Sequence, residues 1–139
     1  MPGRFWVKRL EDVPLVPTDD PADFDWYPLQ HHFGIGAFGI NAFGGDAGIK
    51  LVAEHDERAG GHEEVYVVVR GVARFTLDGE SFDAPAVTVV AVPDVAVTRS
   101  AVAAEDGTVV LAIGAPAGSG FRSTWNERNF AEVPRAQRP

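Results

Sequence analysis

Between residues 33 and 118 the chain is a succession of short runs rich in Val, Ile, Phe and Thr: GIGAFGINAF, IKLVAEH, VYVVVRG, ARFTLDGE, VTVVAVP, AVTRSAV and TVVLAIG. Turn-forming clusters separate them, among them GGDAG, ERAGG, DAPA, VPD and AEDG. No stretch in this region keeps a 3.6-residue apolar period long enough for a helix. Closely spaced strands of this kind predict an all-β domain, an antiparallel β-sandwich or barrel. In TLDGESF the Asp78-Gly79 pair lies between apolar residues, the signature of a tight hairpin. VYVVVRG is apolar on both faces, which predicts a strand covered on both sides, by the N-terminal segment or by a second subunit.

The two ends read differently. Residues 1–32 contain LEDVPLVPTDDPADFDWYP, too rich in proline for a helix interior or a central strand. They predict a proline-rich N-terminal arm lying on the domain and anchored by Phe5, Trp6, Phe24, Trp26 and Tyr27. Residues 33–118 form the predicted barrel. Residues 119–139 form a C-terminal tail in which FRSTWNERNFAEVPRAQRP predicts one short helix, capped at Ser123 or Thr124. With 139 residues the chain is long enough for one domain with a full core.

Charge narrows the partners. Twelve Lys and Arg against 20 Asp and Glu give a net charge of -8, which argues against nucleic acid and anionic membrane, since both call for clustered cations. No apolar run reaches the length of a membrane span, and the start MPGRFWVKRLEDVP lacks the apolar core of a secretory signal, so a cytoplasmic location is expected. There are no cysteines. Disulfides and thiolate metal sites are excluded, and any metal must use His, carboxylate or carbonyl ligands.

Glu64, the six residues VYVVVR, Gly71 and the following ARFTLDGE resemble the first motif of the cupin superfamily, roughly G-x5-H-x-H-x3or4-E-x6-G. DAPAVTVVAVPDVAVTRSAV resembles the second, roughly G-x5-P-x-G-x2-H-x3-N. The likeness covers about residues 35–115 and implies a cupin-like jelly roll. It also implies a homodimer, since cupins commonly pair, and a small-molecule ligand. The strand-turn-strand skeleton matches, whereas the usual ligand positions do not. Counting back from Glu64 with the short loop puts the two histidine positions on Arg58 and Gly60, neither of which can coordinate a metal. In the second motif the histidine position falls near Thr98, beside Arg99, the asparagine on Val102 and the leading glycine on Val87.

A longer loop gives a better placement. Gly48, six residues and then His55-x-Glu57 has the shape of the motif's entry, with a carboxylate for the second histidine. If the strand IKLVAEHDE runs through residue 57, alternation points His55 and Glu57 the same way. Glu64 opens the next strand, and His62 lies two residues before it. His55, Glu57, His62 and Glu64 are thus the candidate ligands, suited to Mn, Fe, Ni or Zn through nitrogen and oxygen donors. The plain alternative is that they are solvated loop residues of an acidic protein. His31 and His32 precede a strand, so at most one can reach the interior; a histidine bonded to backbone is the simpler account. Thr98, Arg99 and His32 are the residues expected to face the pocket, with Arg99 paired to Glu64 or gripping a ligand carboxylate. For Arg99, as for Arg70, the plain alternative is a charge on an outer face. An inward Arg99 counts against a metal beside it, because the two charges repel.

Other chemistry finds no support. GIGAFGINAFGG is not followed by a helix, no G-x-S-x-G elbow occurs, and no serine has a histidine nearby in sequence. Two functions stay open: a metal-dependent cupin enzyme acting on a small polar organic molecule, and a metal-free cupin that binds a small molecule as an accessory or sensing module.

Overall fold

The computed structural model describes residues 4–124 and 127–137. The β-rich runs form strands, except that GIGAF precedes the first of them and most of DAPA, read as a turn, lies within one: β2 (Gly39–Gly45), β3 (Lys50–His55), β4 (His62–Arg70), β5 (Val72–Leu77), β6 (Glu80–Pro85), β7 (Thr88–Val92), β8 (Arg99–Ala103) and β9 (Thr108–Pro116). They follow β1 (Asp25–Tyr27) and the short helix α1 (Leu29–Phe33). Two antiparallel sheets result, ordered β1-β2-β9-β4-β7 and β3-β8-β5-β6. This is a jelly-roll sandwich, with neighbours in space far apart in sequence.

The core lies between the sheets. Alternation sends Tyr66 and Val68 of β4 and Val90 and Val92 of β7 inward to meet Leu51, Phe75 and Ala101 of the second sheet. The Tyr66 and Phe75 rings cross the gap with centroids 5.6 Å apart. The predicted hairpin is present: Asp78 and Gly79 both have positive φ, 48° and 84°, as a two-residue primed turn requires, and Leu77 pairs with Glu80.

The N-terminal segment is more integrated than an arm. β1 pairs antiparallel with β2 and forms the edge of the five-stranded sheet, and Val16 donates its N–H to the Trp26 carbonyl at 2.9 Å. Among the expected anchors, Phe24 packs edge-on against Phe43 at 5.2 Å, whereas Phe5 is 78% exposed and Trp6 52% exposed. Val13 is the one buried residue among the described residues of this segment. In the tail a 3-10 turn spans Glu127–Phe130; the expected caps Ser123 and Thr124 precede it, and Trp125 and Asn126 fall outside the described residues. Among the described residues no helix is long and apolar enough to cross a membrane.

The outer face of β4 and β7 is covered only in part. Val69, Val87 and Val89 are 44%, 75% and 61% exposed, so the valine run that is apolar on both faces has one face open.

Gly71 makes the turn from β4 to β5 with φ +74°. A Cβ there would collide with the Thr108 side chain and lie 2.9 Å from the Thr108 Cα. Thr108 cannot yield, because it is fully buried and its hydroxyl bonds the Val72 backbone and the Glu105 carbonyl. Gly71→Ala combines left-handed strain with overpacking and is expected to lower unfolding free energy by about 2–4 kcal/mol, measured by urea denaturation.

Candidate functional site

Both sheets contribute to one cluster. His55 ends β3 and pairs directly with Arg99 at the start of β8, so both side chains leave the same face. Glu64 points inward from β4 on the opposite sheet, in register with Gly114 of β9 and Val92 of β7. Ligand atoms of His55, Glu57 and Glu64 all lie within 4.8 Å of one another. His55 Nε2 is 3.1 Å from Glu57 Oε1 and 3.7 Å from Glu64 Oε1.

Glu57 reaches the cluster by a different route from the expected one. β3 stops at His55, so strand alternation does not aim Glu57. Its backbone N–H instead donates to the Val95 carbonyl at 2.9 Å, which ties the β3–β4 loop to the β7–β8 loop and holds the carboxylate beside His55. His62 stands at the rim, its Nδ1 3.7 Å from the other Glu57 oxygen and outside the three-residue group.

Arg99 is the largest fully buried side chain. Its Nη1 donates to Glu64 Oε1 at 2.9 Å, its Nε to the Val97 carbonyl, and its Nη2 to the carbonyls of Val97 and Asp94. Tyr66 donates its hydroxyl to the same Glu64 oxygen at 2.9 Å. Burial, then the adjacent Glu64 charge, push the Tyr66 phenol far above its ordinary range, so Tyr66 acts as a neutral donor. Sequence reasoning missed Tyr66, although it lies two residues from Glu64 in the same strand and so on the same face.

A cavity of about 600 Å³ opens beside the cluster. His55, His62, Glu64 and Tyr66 line it, with aromatic walls from Phe24, Phe38 and Phe43. Thr98, Arg99 and His32 are not among its lining residues. Arg99 is sealed behind Glu64, and the Thr98 backbone exchanges hydrogen bonds with Asp78. His32 belongs to α1 rather than a strand, with Nε2 2.8 Å from Lys8 Nζ and its ring against Phe33. Gln30 and Asn41, not foreseen from the sequence, do line the cavity. For Asn41 the signal was alternation with Phe43; for Gln30 there was none, since α1 was not predicted.

No family model matches the chain, and none of the curated proteins does. Solved structures do. A cupin protein from Bacteroides fragilis aligns with a TM-score of 0.62 at 21% identity, over 79% of this chain and 91% of that one. KdgF from Halomonas sp. aligns with a TM-score of 0.59 at 21% identity, over 72% and 85%. An RmlC-like cupin from Shewanella frigidimarina aligns with a TM-score of 0.58 at 18% identity, over 86% and 97%. At these identities the likeness establishes the fold.

The buried Arg99 depends on Glu64 for its counter-charge. Glu64→Gln is expected to destabilise the protein by about 3–5 kcal/mol in chemical denaturation, because it strands a charge in the core. Glu64→Leu combined with Arg99→Met should recover most of that loss; a double variant as unstable as Glu64→Gln would show that the pair is not the cause.

Proposed function

The chain has the jelly-roll fold of the cupin superfamily, and on that premise we propose that it binds a small organic molecule in the cavity, beside a divalent metal held by His55, Glu57 and Glu64. The observation that carries the metal is the orientation of His55. Its Nδ1 lies 2.7 Å from the Ala53 carbonyl oxygen, which can only accept, so Nδ1 carries the proton. Nε2 faces the acceptor oxygens Glu57 Oε1 at 3.1 Å and Glu64 Oε1 at 3.7 Å, so a positive charge belongs between them: a proton on Nε2 without an ion, or in its place a metal bound by the Nε2 lone pair. A ring nitrogen whose partner nitrogen is anchored on a backbone carbonyl is the usual arrangement of a metal-binding histidine. One imidazole and two carboxylates suit Mn, Fe, Ni or Zn.

When bound, such an ion supplies Lewis acidity and open coordination positions to a ligand in the cavity. The chain's own residues do the rest. Arg99 and Tyr66 fix Glu64 by occupying Oε1, which leaves Oε2 for a further partner. The β3–β4 loop brings Glu57, and the aromatic walls exclude water from one side of the cavity.

A metal-free small-molecule binder is the second reading. It is favoured by the guanidinium 2.9 Å from Glu64, a permanent positive charge near the position where the second cupin motif has histidine. Elemental analysis of protein purified without a histidine tag separates the two. The metal reading expects about one transition-metal equivalent, reduced roughly tenfold or more in His55→Ala and Glu57→Ala, two changes that leave the Arg99–Glu64 pair intact. No bound metal, together with no thermal stabilisation by added Mn, Fe, Ni or Zn, would sink the metal and favour the second reading.

The open valine face supports a homodimer as part of this proposal, since exposed apolar surface on one sheet gains by burial against a second copy. Light scattering is expected to give twice the monomer mass for the unaltered chain and the monomer mass for Val89→Lys. A monomeric unaltered chain would rule the dimer out.

A further inference from the structure

The pole of the cavity away from the metal cluster carries a directional signal. Gln30 Oε1 accepts the backbone N–H of Ile40 at 2.8 Å, and Asn41 Oδ1 accepts the indole N–H of Trp26 at 2.8 Å. Both partners can only donate, so both amide oxygens are committed to the wall. The opposite end of each amide is an NH2 group, and neither is hydrogen-bonded to a described residue. Both residues line the cavity, and neither NH2 nitrogen is a buried atom without a partner, so each is accessible and free to donate to a ligand there. The Gln30 and Asn41 side chains thus present two free donors at this pole.

Charge sharpens the selection. No Lys or Arg is among the described lining residues, whereas Glu64 is. In metal-free protein, a phosphate entering the cavity would lose its water with no fixed cation to replace it, close to two carboxylates. An uncharged acceptor on an apolar body meets no such penalty against Phe24, Phe38 and Phe43. Size follows from register. Asn41 on β2 is level with Tyr66 on β4 across β9, and Glu64 is two residues along that strand, so about 12 Å separates the two poles.

We infer that the cavity selects an uncharged carbonyl compound, its oxygen held by the Gln30 and Asn41 amides, and discriminates against phosphorylated ligands of the same size. The inference rests on the small-molecule reading above and does not require the metal. Gln30→Glu and Asn41→Asp test it with almost no change of shape, because each keeps the oxygen that accepts from Ile40 or Trp26 and replaces only the NH2 group with an oxygen.

The probes are acetophenone, ethylbenzene, phenyl phosphate and 1-phenylethylamine, with binding read by calorimetry or ligand-observed NMR on the full chain. In the unaltered protein acetophenone should bind about tenfold or more tighter than ethylbenzene and phenyl phosphate. In the double variant its affinity should fall about tenfold or more, while that of 1-phenylethylamine rises. Thermal melting checks that the variants fold, and the two single variants carry the test if the double one does not. Phenyl phosphate binding as well as acetophenone, failure of acetophenone to bind, or an acetophenone affinity unmoved by the substitutions would each overturn the inference. All four probes are measured on protein stripped of metal with EDTA, its metal content checked on the same samples, so that the swap in preference reads the amide pole and not an ion.

Discussion

The buried contact between Arg99 and Glu64 joins the two sheets at the end where the site lies. Glu64 belongs to one sheet and Arg99 to the other, and the guanidinium is fully buried. Such a charge is tolerable only with a counter-charge and a nearly complete set of acceptors, and both are present. The acceptors matter as much as the carboxylate. Through the carbonyls of Asp94 and Val97, Arg99 fixes the β7–β8 loop. Val95 in that loop then accepts the N–H of Glu57. The carboxylate beside His55 is therefore placed, at one remove, by an arginine it does not touch.

The same end of the sandwich owes its open space to residues without side chains. In the inward-facing row that runs β2-β9-β4, Gly39 and Gly114 precede Glu64, so Glu64 rises alone from a flat floor. A Cβ on Gly114 would crowd the Glu64 side chain at 3.4 Å. The next row, Asn41-Ala112-Tyr66, brings the polar groups of the two outer strands across a small residue. Cavity and core thus share one alternation of inward positions, and the space beside Glu64 opens in the row where β2 and β9 carry glycine.

Much of the fold was legible because strand periodicity and turn chemistry are local. Asp78-Gly79 specifies its own hairpin, and each valine-rich run is a strand wherever it pairs. That His55, Glu57 and Glu64 come together was also legible, but for Glu57 on the wrong ground, since a loop held by a distant carbonyl does what alternation was expected to do. Contacts that depend on long-range packing stayed hidden. Nothing near His32 in sequence announces Lys8 as its neighbour, and five residues of helix starting at Leu29 are too few to show a period. Arg99 was read as facing Glu64, which it does, and as facing the pocket, which it does not, because sequence gives the face of a strand and not the depth at which a long side chain stops.

The buried guanidinium also bears on the order of assembly. An acidic ligand that waits for a cation normally opposes folding until the ion arrives, so folding and loading become a single event. Here Glu64 has a permanent partner carried by the chain itself. The scaffold has no need of an ion to close, and any metal comes to a finished protein as a guest rather than as a staple. Which ion occupies such a site is then decided by supply and coordination preference, after the architecture is complete.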